Sequence, residues 1–176
     1  RRSFRSMVIG EILMRPNTLA YFMSMALVAA ERATCARRKV GCVITDNLNH
    51  IKATGYNGVA SGRPHCIDSP CKGANLPSGS GLDACQALHA EQNALLQCSN
   101  VNAVTSVFVT ASPCITCTKL LLGTSIQNVY FLEEYPHSDA KQMWIDAGRS
   151  WTQLNESTLG AEQFAWINNI AQTLKG

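Results

Sequence analysis

A mixed α/β fold, with a partly parallel sheet between helical layers, is predicted by three observations. Short runs rich in β-branched residues alternate with stretches of helical periodicity throughout the second half of the chain, a βαβ pattern that calls for parallel neighbours. Two further such runs in the first half are separated by Asp46-Asn47-Leu48-Asn49, a good turn, and read as an antiparallel hairpin. Hydrophobic residues make up 46% of the 176, ample for a single buried core. One domain is therefore expected over 17–176, preceded by an arm over 1–16. Within that arm Arg1-Arg2-Ser3-Phe4-Arg5-Ser6, ahead of Met7, reads as a processed or engineered leader and is set aside from fold reasoning.

The elements follow in order. Thr18 opens an apolar-periodic stretch that predicts a long first helix over 18–35, in which Met23 and Met25 have the spacing of core or interface packing. Strands are expected at 40–45 and 51–56. From 57 to 83 the chain holds Gly, Pro, Ser and several Cys without periodicity, and so long an irregular loop is uncommon unless it is functional or cross-linked. A helix at 88–97, a strand at 105–110, a helix at 114–123, a strand at 128–132, a helix at 138–147, a short strand at 150–153 and a last helix at 159–174 complete the pattern. No internal repeat is present.

Composition narrows the function. The net charge of +3 is too mild to announce a nucleic-acid surface, and no stable nucleic-acid partner is expected. No apolar run reaches the roughly 20 residues that span a bilayer, so no membrane partner is expected and the protein is placed in the cytoplasm, or the host cytoplasm for a viral chain. Only 15% of residues are charged, which implies surface buried between subunits and hence a homo-oligomer. Eight cysteines without a visible secretory leader favour metal binding over disulfides.

Two short motifs carry the chemistry. His89-Ala90-Glu91 and, one strand later, Pro113-Cys114-Ile115-Thr116-Cys117 supply three soft ligands and one spare carboxylate. His plus two Cys matches the three protein ligands of a catalytic zinc, which keeps its fourth tetrahedral position open. Both half-sites fall at predicted helix starts, where the positive helix end favours thiolate over thiol. Pro113 suits the first helical turn and Ser112 is the candidate N-cap before it. A lone CxxC would equally suit a redox pair or half of a structural finger, but HAE and PCxxC in this order, with a strand between them, specify hydrolytic zinc chemistry. In that reading the metal acidifies a water, Glu91 takes its proton, the hydroxide attacks a polarised carbon of the substrate, and Glu91 then serves as the acid toward the leaving group.

The chain resembles the zinc-dependent deoxycytidylate (dCMP) deaminases of the cytidine deaminase superfamily, phage-encoded members included. The likeness rests on His89 to Leu95 and Ser112 to Cys117, and on Thr34-Cys35-Ala36-Arg37-Arg38-Lys39-Val40-Gly41, Gly55-Tyr56-Asn57-Gly58, His65-Cys66, Tyr135 and Asp139-Ala140-Lys141, covering about 20–150. It departs from the family pattern at Ala60, where Pro often follows GYNG, and at Cys42, where Ala is usual. The resemblance implies a three-layer α/β/α fold with a five-stranded sheet. It also implies hydrolysis of dCMP to dUMP and ammonia, and a homo-oligomer, often a hexamer, switched on by dCTP and off by dTTP. Mg2+ would accompany a triphosphate effector.

By the same resemblance the Ala90 N–H and the Ser112 carbonyl would hold the base edge, and Asn57 the sugar. Read from the residues alone, Asn57 is as readily a turn residue of positive φ beside Gly58. Arg37 and Arg38, in the densest basic cluster, are the candidate phosphate ligands, with Tyr130 or Tyr135 beside the nucleotide; a charge run at a helix end is otherwise usually solvated. Gly58, Arg63 and His65 are the candidate effector contacts. Cys66, Cys71 and Cys85 cluster about a segment too polar to fold by packing alone, and suit a second, structural zinc. Its fourth ligand would be Cys35, by analogy with phage relatives, or His65; the alternative is four ordinary buried or free cysteines.

Rival readings are an enzyme that uses dCTP, an RNA-acting adenosine deaminase, a riboflavin-pathway deaminase with a more widely spaced cysteine motif, and a non-catalytic zinc module. A purely structural site has no use for the unligated Glu91, which counts against the last.

Overall fold

The computed structural model describes residues 15–77, 80–81, 84–135 and 138–175, so most of the N-terminal arm lies outside the described residues. Helix α1 (Thr18–Ala30) is capped by Asn17, whose side chain accepts the Ala20 N–H at 2.9 Å. Strands β1 (Gly41–Thr45) and β2 (Ile51–Tyr56) form the expected hairpin. Asp46 shapes its turn by accepting the N–H groups of Leu48 and His50, each at 2.9 Å, while Asn49 takes φ 64°, a conformation that asparagine tolerates.

Past the hairpin, β3 (Gly58–Val59) pairs antiparallel with β4 (Ala87–Leu88), a two-stranded ladder that closes the long loop at its base. Helix α2 (Ala90–Gln97), β5 (Ser106–Ala111), α3 (Ile115–Leu122), β6 (Asn128–Glu133), α4 (Ser138–Asp146), β7 (Ser150–Gln153), α5 (Glu156–Leu159) and α6 (Ala161–Lys175) follow. The main sheet runs β2-β1-β5-β6-β7, antiparallel across β2, β1 and β5 and parallel across β5, β6 and β7. This is the mixed five-stranded sheet the sequence predicts.

Strand alternation sorts the core into two layers. Cys42, Ile44, Val107, Val109, Val129 and Phe131 face α2, α3 and α4, meeting Ala94, Leu121 and Trp144. Val43, Phe108 and Tyr130 face the other way, onto Phe22, Met23 and Ala26 of α1 and Ile167 of α6. Both helical layers come close to the sheet because glycines stand at the contacts. A Cβ on Gly41 would lie 1.9 Å from the Ala26 carbonyl oxygen, and one on Gly55 would lie 2.2 Å from that of Ala90. Gly55 thus seats the first turn of α2 directly on β2.

One expectation about helices needs correction. The first helix ends at Ala30, not near 35, because tertiary bonds take over the chain: the Thr34 N–H donates to the Asn57 carbonyl at 3.1 Å. The last predicted helix, 159–174, is α6, and the short α5 stands ahead of it across Gly160 with φ 83°.

Beyond α3, Arg149 closes that helix. Its Nη1 donates to the carbonyls of Leu121 at 3.2 Å and Ile126 at 2.8 Å, its Nη2 to that of Leu122 at 3.0 Å, and the guanidinium lies 5.1 Å over the Trp144 ring. Charge on the last carbonyls of a helix is favourable both as hydrogen bond and against the dipole.

Gly55→Ala is expected to destabilise the fold by about 1–3 kcal/mol, the cost of forced overpacking against backbone that cannot step aside. Thermal or denaturant unfolding measures it, and a loss below about 0.5 kcal/mol would show that α2 can be lifted from β2.

Candidate metal centre and cavity

The two motifs meet at the starts of α2 and α3. His89 is the N-cap of α2, its N–H donating to Gln92 Oε1 at 2.8 Å, and Cys114 is the N-cap of α3, whose side chain makes no capping bond; both stand in extended backbone. His89 Nδ1 lies 3.4 Å from the sulfurs of both Cys114 and Cys117. The three donor atoms all fall within 4.8 Å of one another, and among the described residues no other group of His, Cys, Asp and Glu does so. With bonds of about 2.3 Å to sulfur and about 2.0 Å to nitrogen, the N···S edge of a zinc tetrahedron is about 3.5 Å. The donor set therefore fits zinc in both chemistry and spacing.

The thiols are tuned as a pair. The Cys117 thiol donates toward Cys114, which with His89 holds Cys114 down to about 4, while Cys117 is held up by that same bond and by burial. The contact with Cys114 also raises His89. Glu91, in the first turn of α2, is buried at 4% exposure, and burial pushes its carboxyl up to about 6. It lies beside the donors but outside their cluster.

One cavity collects these groups. His89, Ala90, Glu91, Cys114 and Ser112 line its floor, and Arg37, Arg38, Asn57 and Tyr135 line it as well. Ser112 is not the N-cap of α3: its Oγ accepts the Tyr135 N–H at 2.7 Å and its own N–H donates to the Glu133 carbonyl at 2.8 Å, which ties the ends of β5 and β6 together.

Asn57 is no positive-φ turn residue. Its Oδ1 accepts the Val40 N–H and its Nδ2 donates to the Arg38 carbonyl, both at 2.8 Å, so it fastens the basic segment to the cavity wall. Neither arginine is solvated at random. Arg37 donates to the carbonyls of Pro77 and Ser80, and Arg38 pairs with Glu133. Lys39, third in the cluster, pairs with Glu31 at 2.6 Å.

Tyr130 is not brought to this cavity. It stacks on Phe108 with centroids 4.9 Å apart, on the α1 and α6 face of the sheet. Gly58, Arg63 and His65 also lie outside it; Gly58 backs onto Thr34 and Arg63 donates to Gln86 Oε1 at 3.2 Å.

The loop cysteines are not gathered around one point. The sulfurs of Cys66 and Cys71 are 3.8 Å apart, Cys71 also bonds Cys85, and Cys35 and Cys85 line the catalytic cavity itself. His65 joins no ligand cluster. Sequence reasoning missed Glu133 altogether; a lone acid at the end of a predicted strand carries no signal until its arginine partner is known.

The region from 16 to 133 matches the family profile of the cytidine and deoxycytidylate deaminase zinc-binding region. The chain belongs to the cytidine and deoxycytidylate deaminase family. Over 125 residues it is 38% identical to the deoxycytidylate deaminase of Saccharomyces cerevisiae, covering 70% of this chain and 40% of that protein. Against the deoxycytidylate deaminase of a Mycobacterium phage it is 35% identical, covering 68% of this chain and 98% of that one. The chain thus spans well under half the length of the yeast deaminase and nearly all of the phage one.

Among solved structures, the dCMP deaminase of cyanophage S-TIM5 in complex with dCMP and dUMP superposes with a TM-score of 0.66 at 27% identity, over 80% of this chain and 99% of that one. RibD of Acinetobacter baumannii, with a TM-score of 0.55 at 19% identity over 89% of this chain and 40% of that one, shares the deaminase fold. Among the described residues no helix is long and apolar enough to cross a membrane.

Cys114→Ser is expected to reduce bound zinc from about one ion per catalytic site to a small fraction, since a hydroxyl replaces one of three protein ligands. Elemental analysis after dialysis against a mild chelator reads it, and full retention of zinc would remove Cys114 from the ligand set. Asn57→Ala is expected to cost about 1–3 kcal/mol in unfolding free energy, because the Val40 N–H and the Arg38 carbonyl lose their shared partner.

Proposed function

We propose that this chain hydrolyses dCMP to dUMP and ammonia, supplying dUMP for thymidylate synthesis. The observation that carries the reading is the buried Glu91 carboxylate, left unligated beside a three-donor zinc site in a cavity walled by two arginines. Family membership and the likeness to proteins named as dCMP deaminases support the same substrate class.

Zinc, when bound, supplies a water acidified enough to attack near neutral pH. Around it the chain does the remaining work. Glu91 accepts the proton of the attacking water and places it on N3 of cytosine, then takes the proton of the hydroxyl now on C4 and passes it to the exocyclic amine, so that the C4 carbonyl forms as the C4–N bond breaks and ammonia leaves. The Ala90 N–H, in the first turn of α2, and the Ser112 carbonyl face the edge of the base, and Asn57 lies toward the sugar. Arg37 and Arg38 meet the phosphate, and Tyr135 lines the same wall. Burial of Ala90 and Ser112 supports a base that binds out of water, where each such hydrogen bond discriminates more sharply.

We further propose that the enzyme is a homo-oligomer, often a hexamer in this family, activated by dCTP and inhibited by dTTP. Its effector, with Mg2+, would reach the Gly55 to Cys66 segment through Gly58, Arg63 and His65. The chain of thiols from Cys66 through Cys71 and Cys85 to Cys35 supports a second, structural zinc that would draw them together, with His65 as the rival fourth ligand.

Glu91→Gln is expected to keep its catalytic zinc and lose at least ~10²-fold in turnover of dCMP, the low end for removing a general acid/base. Near-normal turnover in that variant overturns the mechanism. Elemental analysis is expected to give about two zinc ions per chain, one for each kind of site. A value near one, unchanged in a Cys71→Ser, Cys85→Ser variant, disposes of the structural zinc and leaves the catalytic one standing.

A further inference from the structure

Arg38 is a wall between two spaces. On one side it lines the catalytic cavity with Glu91 and Tyr135; on the other it lines a wider cleft, of about 730 Å³, between the end of α1, the ends of β5 and β6, and α6. Glu133 lines only the outer cleft, and its carboxylate takes one guanidinium nitrogen, Nη2.

This acid is held in place. The Glu133 carbonyl accepts the Ser112 N–H at 2.8 Å, and two residues on, the Tyr135 N–H reaches Ser112 Oγ at 2.7 Å, so the strand end that carries Glu133 is fixed to the strand end below the cavity. A guanidinium has five N–H donors in a planar fork, so one contact with Glu133 leaves others for an oxyanion on the cavity side.

Beyond Arg38 the charges are already matched. Lys39 also lines the outer cleft, and its ammonium sits 2.6 Å from Glu31, which lines it too. An anion that stops at Arg38 meets unspent donors. One that extends past it enters a cleft whose two cations are each answered by a carboxylate.

We propose that Glu133 is a specificity residue that limits the substrate to one phosphate. Its carboxylate leaves Arg38 able to receive a monophosphate and repels the second and third phosphates of a triphosphate. Discrimination of this kind comes from a repulsive group against the wrong ligand as much as from contacts to the right one. The proposal rests on the reading of the cavity as a cytosine-nucleotide site.

The test compares dCMP and dCTP as substrates for the purified chain and for Glu133→Gln and Glu133→Asp. The unsubstituted chain is expected to prefer dCMP. Glu133→Gln, which keeps size and loses charge, is expected to raise kcat/KM for dCTP relative to that for dCMP by about tenfold, chiefly through KM. Glu133→Asp, which restores the charge, is expected to return toward the original ratio.

A second measurement needs no substitution: dUMP is expected to inhibit dCMP turnover more strongly than dUTP. A ratio unmoved by Glu133→Gln, an equal fall for both substrates, or dUTP binding as tightly as dUMP overturns the specificity role while deamination of dCMP still stands. If the unsubstituted chain deaminates neither nucleotide, the cytosine-nucleotide reading falls and this inference falls with it.

Discussion

Everything at the site depends on holding one imidazole nitrogen and two sulfurs at the spacing of a metal tetrahedron by means of two separate helix starts. Each helix contributes from its N-terminal end, where unpaired N–H groups and the aligned peptide dipoles favour negative charge. That end is also the least self-supporting part of a helix, so the sheet has to hold it. For α2 the support is the contact at Gly55, where β2 admits no side chain beneath Ala90. For α3 it is the end of β5, tied to β6 through Ser112, together with Arg149 at the opposite end of the helix. Fixing both helices against one sheet leaves His89 Nδ1 3.4 Å from either sulfur. A site prepared in this way spends little of its metal-binding energy on ordering the chain.

The cavity wall follows a different logic. Residues 31–40 form no regular element after α1, yet they carry Arg37 and Arg38 and so must be ordered. Asn57 orders them by substituting its side-chain amide for a missing strand partner, accepting from Val40 and donating to Arg38. Its backbone completes the clamp, donating to the Val40 carbonyl and accepting from Thr34. An asparagine so engaged positions Arg37 and Arg38 at the cavity wall. The long loop is closed from below by the β3–β4 ladder and anchored above where the Ile67 N–H meets the Thr34 carbonyl at 3.2 Å.

What the sequence shows and what it hides divide along the range of the interactions involved. His89, Glu91, Cys114 and Cys117 are legible because their geometry is local: each pair sits within one turn of a helix start, and only the meeting of the two starts is a matter of fold. Strand and helix positions are legible to within a residue or two wherever a period is sustained. The end of α1 is hidden because a hydrogen bond from Thr34 to Asn57, 23 residues on, overrides a stretch that could have continued as helix. Tyr130 is hidden for a subtler reason. β6 is covered on both faces, so its residues show little alternation of polarity, and nothing in the pattern says that Val129 and Phe131 face the site while Tyr130 and Leu132 face away. The sequence shows only that Cys66, Cys71 and Cys85 lie near one another along the chain; in the fold Cys66 meets Cys71, Cys71 meets Cys85, and Cys85 lines the cavity together with Cys35.

The boundary of the family region, at 133, does not coincide with the boundary of what sustains the site. Arg149, well beyond it, ends the helix that holds both thiolate donors, and Trp144 is wholly buried in the core layer beneath α2 and α3. On the opposite face α6 packs on α1, and Gln163 accepts the Asn17 N–H at 2.9 Å, at the point where α1 begins. Since α1 in turn lies against β1 at Gly41 with no room for a side chain, a displacement of α6 is passed through α1 to the strand beside β5. The segment after 133 therefore acts on the metal centre from both faces of the sheet.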